Sequence, residues 1–149
     1  MKSINRKLHI LLVEDSECDT MLIQRSFDKS KLDHTLHCVE DGERAIAFLK
    51  NYGEYKKVAR PDLIILDLNL PRLDGREVLA QIKQDSNLKR IPVIILTTSN
   101  AEQDVMRSYD LHANCYIVKP FDVYDFLQIA NLIEQFWLKT VILPSVQIQ

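Results

Sequence analysis

The chain has 149 residues, of which 46% are hydrophobic and 27% charged, with a formal net charge of −2 at neutral pH. That is room for one domain with a sizeable core, and the near-balanced charge gives no bulk attraction to nucleic acid or to an anionic membrane surface. Its three glycines, Gly42, Gly53 and Gly75, lie far apart, which excludes a G-x-x-x-x-G-K phosphate loop and a G-x-G-x-x-G dinucleotide fingerprint.

The opening "MKSINRKLHILLVEDS" is basic, then briefly apolar, until Glu14 and Asp15 interrupt it. It is too short for a signal peptide, and no stretch is long enough to span a bilayer. The pattern predicts a first strand over His9–Val13 and a helix from Glu17 to about Lys29, capped by Ser16, with Met21, Leu22 and Phe27 inward. A second strand follows at Thr35–Val39, then a helix opened by Asp41-Gly42 with Ala45, Ile46, Phe48 and Leu49 inward. The polar "NYGEYKKVAR" reads as a surface loop. Leu63–Asp67 is the third strand, Gly75–Gln84 a helix burying Val78, Leu79 and Ile82, and Val93–Thr97 a fourth strand introduced by Pro92. A short helix over Glu102–Tyr109, a fifth strand over Cys115–Val118 and a last helix from Val123 to about Lys139 complete the series. Several of these strands are apolar on both faces. Such strands alternating with helices predict an α/β doubly wound (βα)5 fold, a parallel sheet covered by helices on both sides. Residues 1–149 read as one domain, with a core over about 7–137 and a tail over 138–149.

Cys18, Cys38 and Cys115 show neither C-x-x-C spacing nor a disulfide framework, which fits a reducing cytoplasm and three small buried apolar side chains. His9, His34 and His37 look scattered rather than ligating.

In an open parallel sheet, ligands bind beyond the carboxyl ends of the strands. The first strand ends in Glu14-Asp15, the third in Asp67, the fourth in Thr97, and the fifth runs into Lys119-Pro120. Singly, each has a bland reading: a helix cap, a strand residue, a turn. Together they bring three carboxylates, a hydroxyl and an ammonium to one edge. Crowded carboxylates raise one another's pKa unless a cation intervenes, and oxygen-only ligands with open positions suit Mg2+. A carboxylate beside a metal, a lysine and a hydroxyl can act as a nucleophile toward phosphorus.

These motifs resemble the receiver domain of two-component response regulators over roughly residues 7–137. They are the acidic pair in "LLVEDS", the acid in "LIILDLNLP", the turn "LDG", the hydroxyl in "VIILTTS" and the lysine in "CYIVKPF". The resemblance implies strand order 2-1-3-4-5, with Asp67 as phosphoacceptor. It further implies Asp15 as a direct Mg2+ ligand, Glu14 acting nearby, and the Asn69 main-chain carbonyl as another ligand. Thr97 and Lys119 would hold phosphoryl oxygens, the Lys119-Pro120 peptide would be cis, and Tyr116 would be the switch aromatic that turns inward when Thr97 moves. Thr98 stands where the family favours a smaller residue, and His112 where glycine is common. The resemblance also implies that the chain is no enzyme beyond its own phosphorylation and dephosphorylation.

The tail is too short for a DNA-binding module, so output is expected through a protein contact, or the domain is an intermediate in a phosphorelay. In the last helix, Val123, Phe126, Leu127, Ala130, Ile133 and Trp137 form an inward stripe, while Ile129, Leu132 and Phe136 form a second one. With Val141, Ile142, Leu143 and Val146 they predict a homodimer interface, centred on Ile129, Leu132, Phe136, Trp137 and Leu143. The loop before Pro61 and the "FWLKTVILPS" ending are similar to small cyanobacterial regulators that serve phytochrome-type histidine kinases. The competing readings are an aspartate-nucleophile phosphatase, which would want an acid where Asn69 stands, and an unphosphorylated pseudo-receiver.

Overall fold

The computed structural model describes residues 7–144. Five strands, β1 (Leu8–Val13), β2 (His34–Val39), β3 (Leu63–Leu66), β4 (Val93–Thr97) and β5 (Cys115–Val118), form one parallel sheet in the order β2-β1-β3-β4-β5. Between and after them run α1 (Glu17–Asp28), α2 (Gly42–Leu49), α3 (Gly75–Gln84), α4 (Glu102–Asp110) and α5 (Val123–Ile133). The expected fold class and strand order are therefore both observed.

Every residue of β3 is buried, which is why its sequence is an unbroken apolar run. Its side chains alternate between two cores. Ile64 and Leu66 join Ala45, Phe48, Val78, Leu79 and Ile82 of α2 and α3 on one face. Leu63 and Ile65 join Ile23, Phe27, Phe126, Ala130 and Ile133 of α1 and α5 on the other. Four of the five α-helices begin where the sequence supplies a capping side chain, whereas α4 starts after Ala101 without one. Ser16, Asp41, Asp74 and Asp122 each accept a backbone N–H of the first turn.

Four expectations are corrected. Met21 and Val123 are exposed, because each lies at the margin of its helix's apolar stripe. Cys18 and Cys38 are exposed and Cys115 is half-buried, so none fills the core. The last helix is not uniform, since α5 gives way at Glu134 to a π-helical segment, Glu134–Thr140. There Val141 N donates to the Phe136 carbonyl and the Thr140 hydroxyl to the Gln135 carbonyl, the wider turn that places Leu138 fully in the core. Finally, His9 and His37 are not scattered: neighbouring strands stack their rings 5.4 Å apart, with Nδ1 of His9 3.1 Å from Nε2 of His37.

His112 adopts a left-handed backbone, φ 72°, just before β5. The glycine-like turn is thus kept by a residue type that tolerates this region better than most. Among the described residues no helix is long and apolar enough to cross a membrane.

Candidate functional site

The chain runs from β1 outward to β2 and returns to β3 on the other side of β1, so the sheet's switch point lies between β1 and β3. Register pairs Val13 with Leu66, which sets Glu14 and Asp15 opposite Asp67 just past the strand ends. Oxygens of Glu14, Asp15 and Asp67 can lie within 4.8 Å of one another. Glu14 and Asp67 are buried, whereas Asp15 is exposed. The backbone fixes both buried acids: Asp67 N donates to the Val13 carbonyl at 3.1 Å and Glu14 N to the Val39 carbonyl at 3.0 Å. Their carboxylates take further N–H donors, Ser16 N on Glu14 at 3.1 Å and Asn69 N on Asp67 at 3.2 Å.

From the opposite edge, β4 and β5 pair Thr97 with Val118, so Lys119 follows directly beside Thr97 and donates its backbone N–H to the Thr97 carbonyl at 2.7 Å. The Lys119 side chain, 5% exposed, crosses to Glu14 Oε1 at 2.6 Å, Asp19 Oδ2 at 2.8 Å and Asp67 Oδ2 at 2.9 Å. Burial alone would make this lysine less basic. The Asp19, Glu14 and Asp67 carboxylates outweigh burial and hold it well above the ordinary lysine range. Burial pushes the Glu14 carboxyl up to about 7, opposed by Lys119 and reinforced by the charge on Asp67. An all-oxygen donor set of carboxylates that pays this desolvation cost fits a hard divalent cation.

Thr97 is fully buried at the end of β4, and its hydroxyl accepts Ser99 N at 3.5 Å. Tyr116 is half-buried on the α2–α3 face, its hydroxyl donating to the Ser99 carbonyl at 2.9 Å while its backbone N–H reaches the Tyr109 hydroxyl at 3.1 Å. Ser99 in turn gives its hydroxyl to Asp104 at 2.5 Å, and Asp104 holds Arg76 of α3 through Nε at 3.0 Å and Nη2 at 2.9 Å. Asn69 is exposed at the rim of the pocket, and Thr98 points outward beside it in sequence from Thr97.

One site expectation fails. Among the described residues there is no cis peptide bond, so the Lys119-Pro120 bond is trans. Trans is the intrinsic preference even before proline, and in this form Lys119 already reaches all three carboxylates. Of the residues expected in a dimer interface, Ile129, Trp137 and Leu143 pack partly against the α1–α5 core, whereas Leu132 and Phe136 are 62% and 51% exposed. Val146 lies outside the described residues.

Sequence reading missed Asp19 and the Arg76–Asp104–Ser99 cluster. Asp19 had a signal: it lies in the first turn of the helix that follows the acidic pair, and so stays at the same end of the sheet. The cluster had none, because its members come from two helices and a loop that only the fold brings together.

Comparison with known proteins agrees with this geometry. Residues 10–131 match the family model for the response regulator receiver domain. The chain is 54% identical over 136 residues to response regulator Rcp1 of Synechocystis sp., covering 91% of this chain and 92% of that one. The structure of the Mn2+-bound form of Rcp1 superposes with a TM-score of 0.91 over 93% of this chain and 99% of the other. That of RcpA, a phosphorylated cyanobacterial phytochrome response regulator, gives 0.92 at 52% identity over 94% of this chain and all of RcpA. The chain belongs to the response regulator receiver domain family.

Proposed function

We propose that this receiver accepts a phosphoryl group from a sensor histidine kinase on the Asp67 carboxylate. The observation that carries this is the placement of Asp67: buried at the sheet's switch point, one oxygen on Asn69 N and the other on the Lys119 ammonium, with Glu14 and Asp15 beside it. An Asp67 oxygen attacks phosphorus, the P–N bond of a phosphohistidine breaks, and the imidazole leaves and takes up a proton. Lys119 and Thr97 then hold phosphoryl oxygens. Glu14, Asp15, Asp67 and the Asn69 carbonyl are the residues that would hold Mg2+, whose charge neutralises the entering phosphate. The acyl phosphate draws the Thr97 hydroxyl toward it, and Tyr116 packs into the space this frees, so a local charge biases a two-state surface around α4, β5 and α5.

The test is incubation with acetyl phosphate and MgCl2, followed by intact mass. One phosphoryl adduct is expected on the wild type and none on Asp67→Asn. An unmodified wild type, or an equal adduct on Asp67→Asn, would overturn the assignment. We further infer a phytochrome-type kinase as the donor, because a phytochrome response regulator is similar over nearly the whole chain. Loss of transfer from a light-regulated phytochrome kinase would refute that. We place the protein in the cytoplasm, the reducing compartment that its three free cysteines fit.

We propose, too, that two copies pair through the last helix and tail. Leu132 and Phe136 stand exposed on one helix, with Ile142 beyond them, more apolar surface than an unpartnered helix needs. Leu132→Glu with Phe136→Ala is expected to shift sedimentation from dimer to monomer; unchanged sedimentation would overturn the assembly.

A further inference from the structure

We propose that Asp19 is a positioning residue for Lys119: it draws the ammonium aside, so that Glu14 and Asp67 remain available to a divalent cation. This rests on the reading of the pocket given above, and it adds a residue outside the three acids that group around a cation.

An ammonium has three donors, and Lys119 spends one each on Glu14, Asp19 and Asp67, at 2.6, 2.8 and 2.9 Å. Two of those three acceptors are candidate cation ligands. Lys119 is therefore an internal counter-cation competing for the same oxygens that a metal needs. Only Asp19 pulls in another direction. It comes from the first turn of α1, where its backbone N–H is fixed on the Ser16 hydroxyl at 3.2 Å. Its carboxylate is 23% exposed and reaches the ammonium from the solvent side, whereas that of Glu14 is 2% exposed.

Without Asp19 the lysine would have two acceptors left, both in the pocket, and would settle between them. A cation would then have to displace a buried ammonium with no other partner. With Asp19 in place, Lys119 can give up its bonds to Glu14 and Asp67 and still be held next to Asp67, where an incoming phosphoryl oxygen meets it. The residue thus converts a competitor into a neighbour. Its charge also favours the first turn of α1, but that role leaves its contact with Lys119 unexplained: the cap of α1 is Ser16, and Asp19 sits outside both apolar cores.

Mn2+ titrated against the full chain, with free ion read by electron paramagnetic resonance, tests this. Asp19→Asn is expected to bind Mn2+ about tenfold more weakly, the worth of one charge-assisted hydrogen bond diverted into the pocket. Removing any nearby negative charge would also weaken a cation, so the deciding measurement is a cycle with Lys119→Met, and with Lys119→Gln as a second neutral replacement. If Asp19 acts through Lys119, Asp19→Asn loses most of its effect in either background, and Asp19→Glu restores binding in the parent. An undiminished loss in the Lys119 variants, or no loss in the parent, would overturn the proposal. A wild type that binds no Mn2+ would overturn the cation reading itself, a failure distinct from both.

Discussion

Replacing Gly75 by alanine should damage the pocket from behind. Gly75 opens α3, and its N–H donates to the Leu68 carbonyl at 2.9 Å. A Cβ there would run into the Asp67 carbonyl oxygen and stand 2.6 Å from Leu68 Cα and 2.8 Å from the Leu68 carbonyl oxygen. Those neighbours are backbone, not side chains that can turn away. Ordinary contact needs about 3.5 Å, so the segment carrying Asp67 has to retreat by roughly 1 Å. Overpacking of that kind costs about 1–3 kcal/mol, and against rigid backbone the upper end applies; alanine's helix preference returns up to about 1 kcal/mol. The net is about 2 kcal/mol, or roughly 4–8 °C in Tm for a domain of this size. A shift of roughly 1 Å in the nucleophile costs up to about 100-fold in rate, so phosphorylation by acetyl phosphate should fall further than stability does. Gly53→Ala is the control. It has φ 58° and nothing within 4 Å, so it should cost about 1 kcal/mol through backbone strain alone and leave phosphorylation unchanged. A Gly75→Ala protein with wild-type Tm and wild-type phosphorylation rate would refute the reasoning.

Two more outcomes follow from contacts distant from the pocket. Asp104→Asn removes the carboxylate that holds Arg76 and the Ser99 hydroxyl, at a cost of about 1 kcal/mol for a partly exposed pair. Because Ser99 anchors the Tyr116 hydroxyl, the 19F signal of fluorotyrosine at Tyr116 should broaden or shift without any phosphorylation; an unchanged signal would show the cluster uncoupled from the switch. The second outcome concerns pH. Burial and the neighbouring His9 lower the His37 pKa below its ordinary 6.5. The unfolded chain therefore binds more protons just below pH 6.5, so this part of the stability is full above 6.5 and falls as the pH drops. The Tm loss between pH 7.5 and 5.5 should shrink in His37→Phe, and an equal loss would sink the idea.

The legible part of the molecule was what strand periodicity and strand-end chemistry report. β3 could be read because a strand buried on both faces must be apolar throughout, and Asp67 because an acid ending such a run needs a reason. What stayed hidden depends on partners that periodicity does not encode. The helical stripe ran through Trp137 without a break, yet a π turn re-aims the helix after Ile133 so that Leu138 enters the core. His9 and His37 looked unrelated until parallel pairing made them neighbours across β1 and β2. The trans Lys119-Pro120 bond was misread for a different reason, since the resemblance supplied that expectation and no residue in the chain did.

The packing of α5 on α1 bears on how the protein is made. Ile23 and Phe27 share a core with Phe126, Ala130 and Ile133, and the Ser26 hydroxyl donates to Asn131 Oδ1 at 2.6 Å, a contact between residues 105 positions apart. During synthesis, then, α1 can meet the β1 and β3 side chains of that core early, but the part of its apolar side that α5 covers stays open until the last helix has left the ribosome. The acids of the pocket likewise wait for Lys119. Contacts of such range slow folding in general, so a chain that stops before Phe126 is expected to leave apolar surface of α1 open and to aggregate rather than form a smaller receiver.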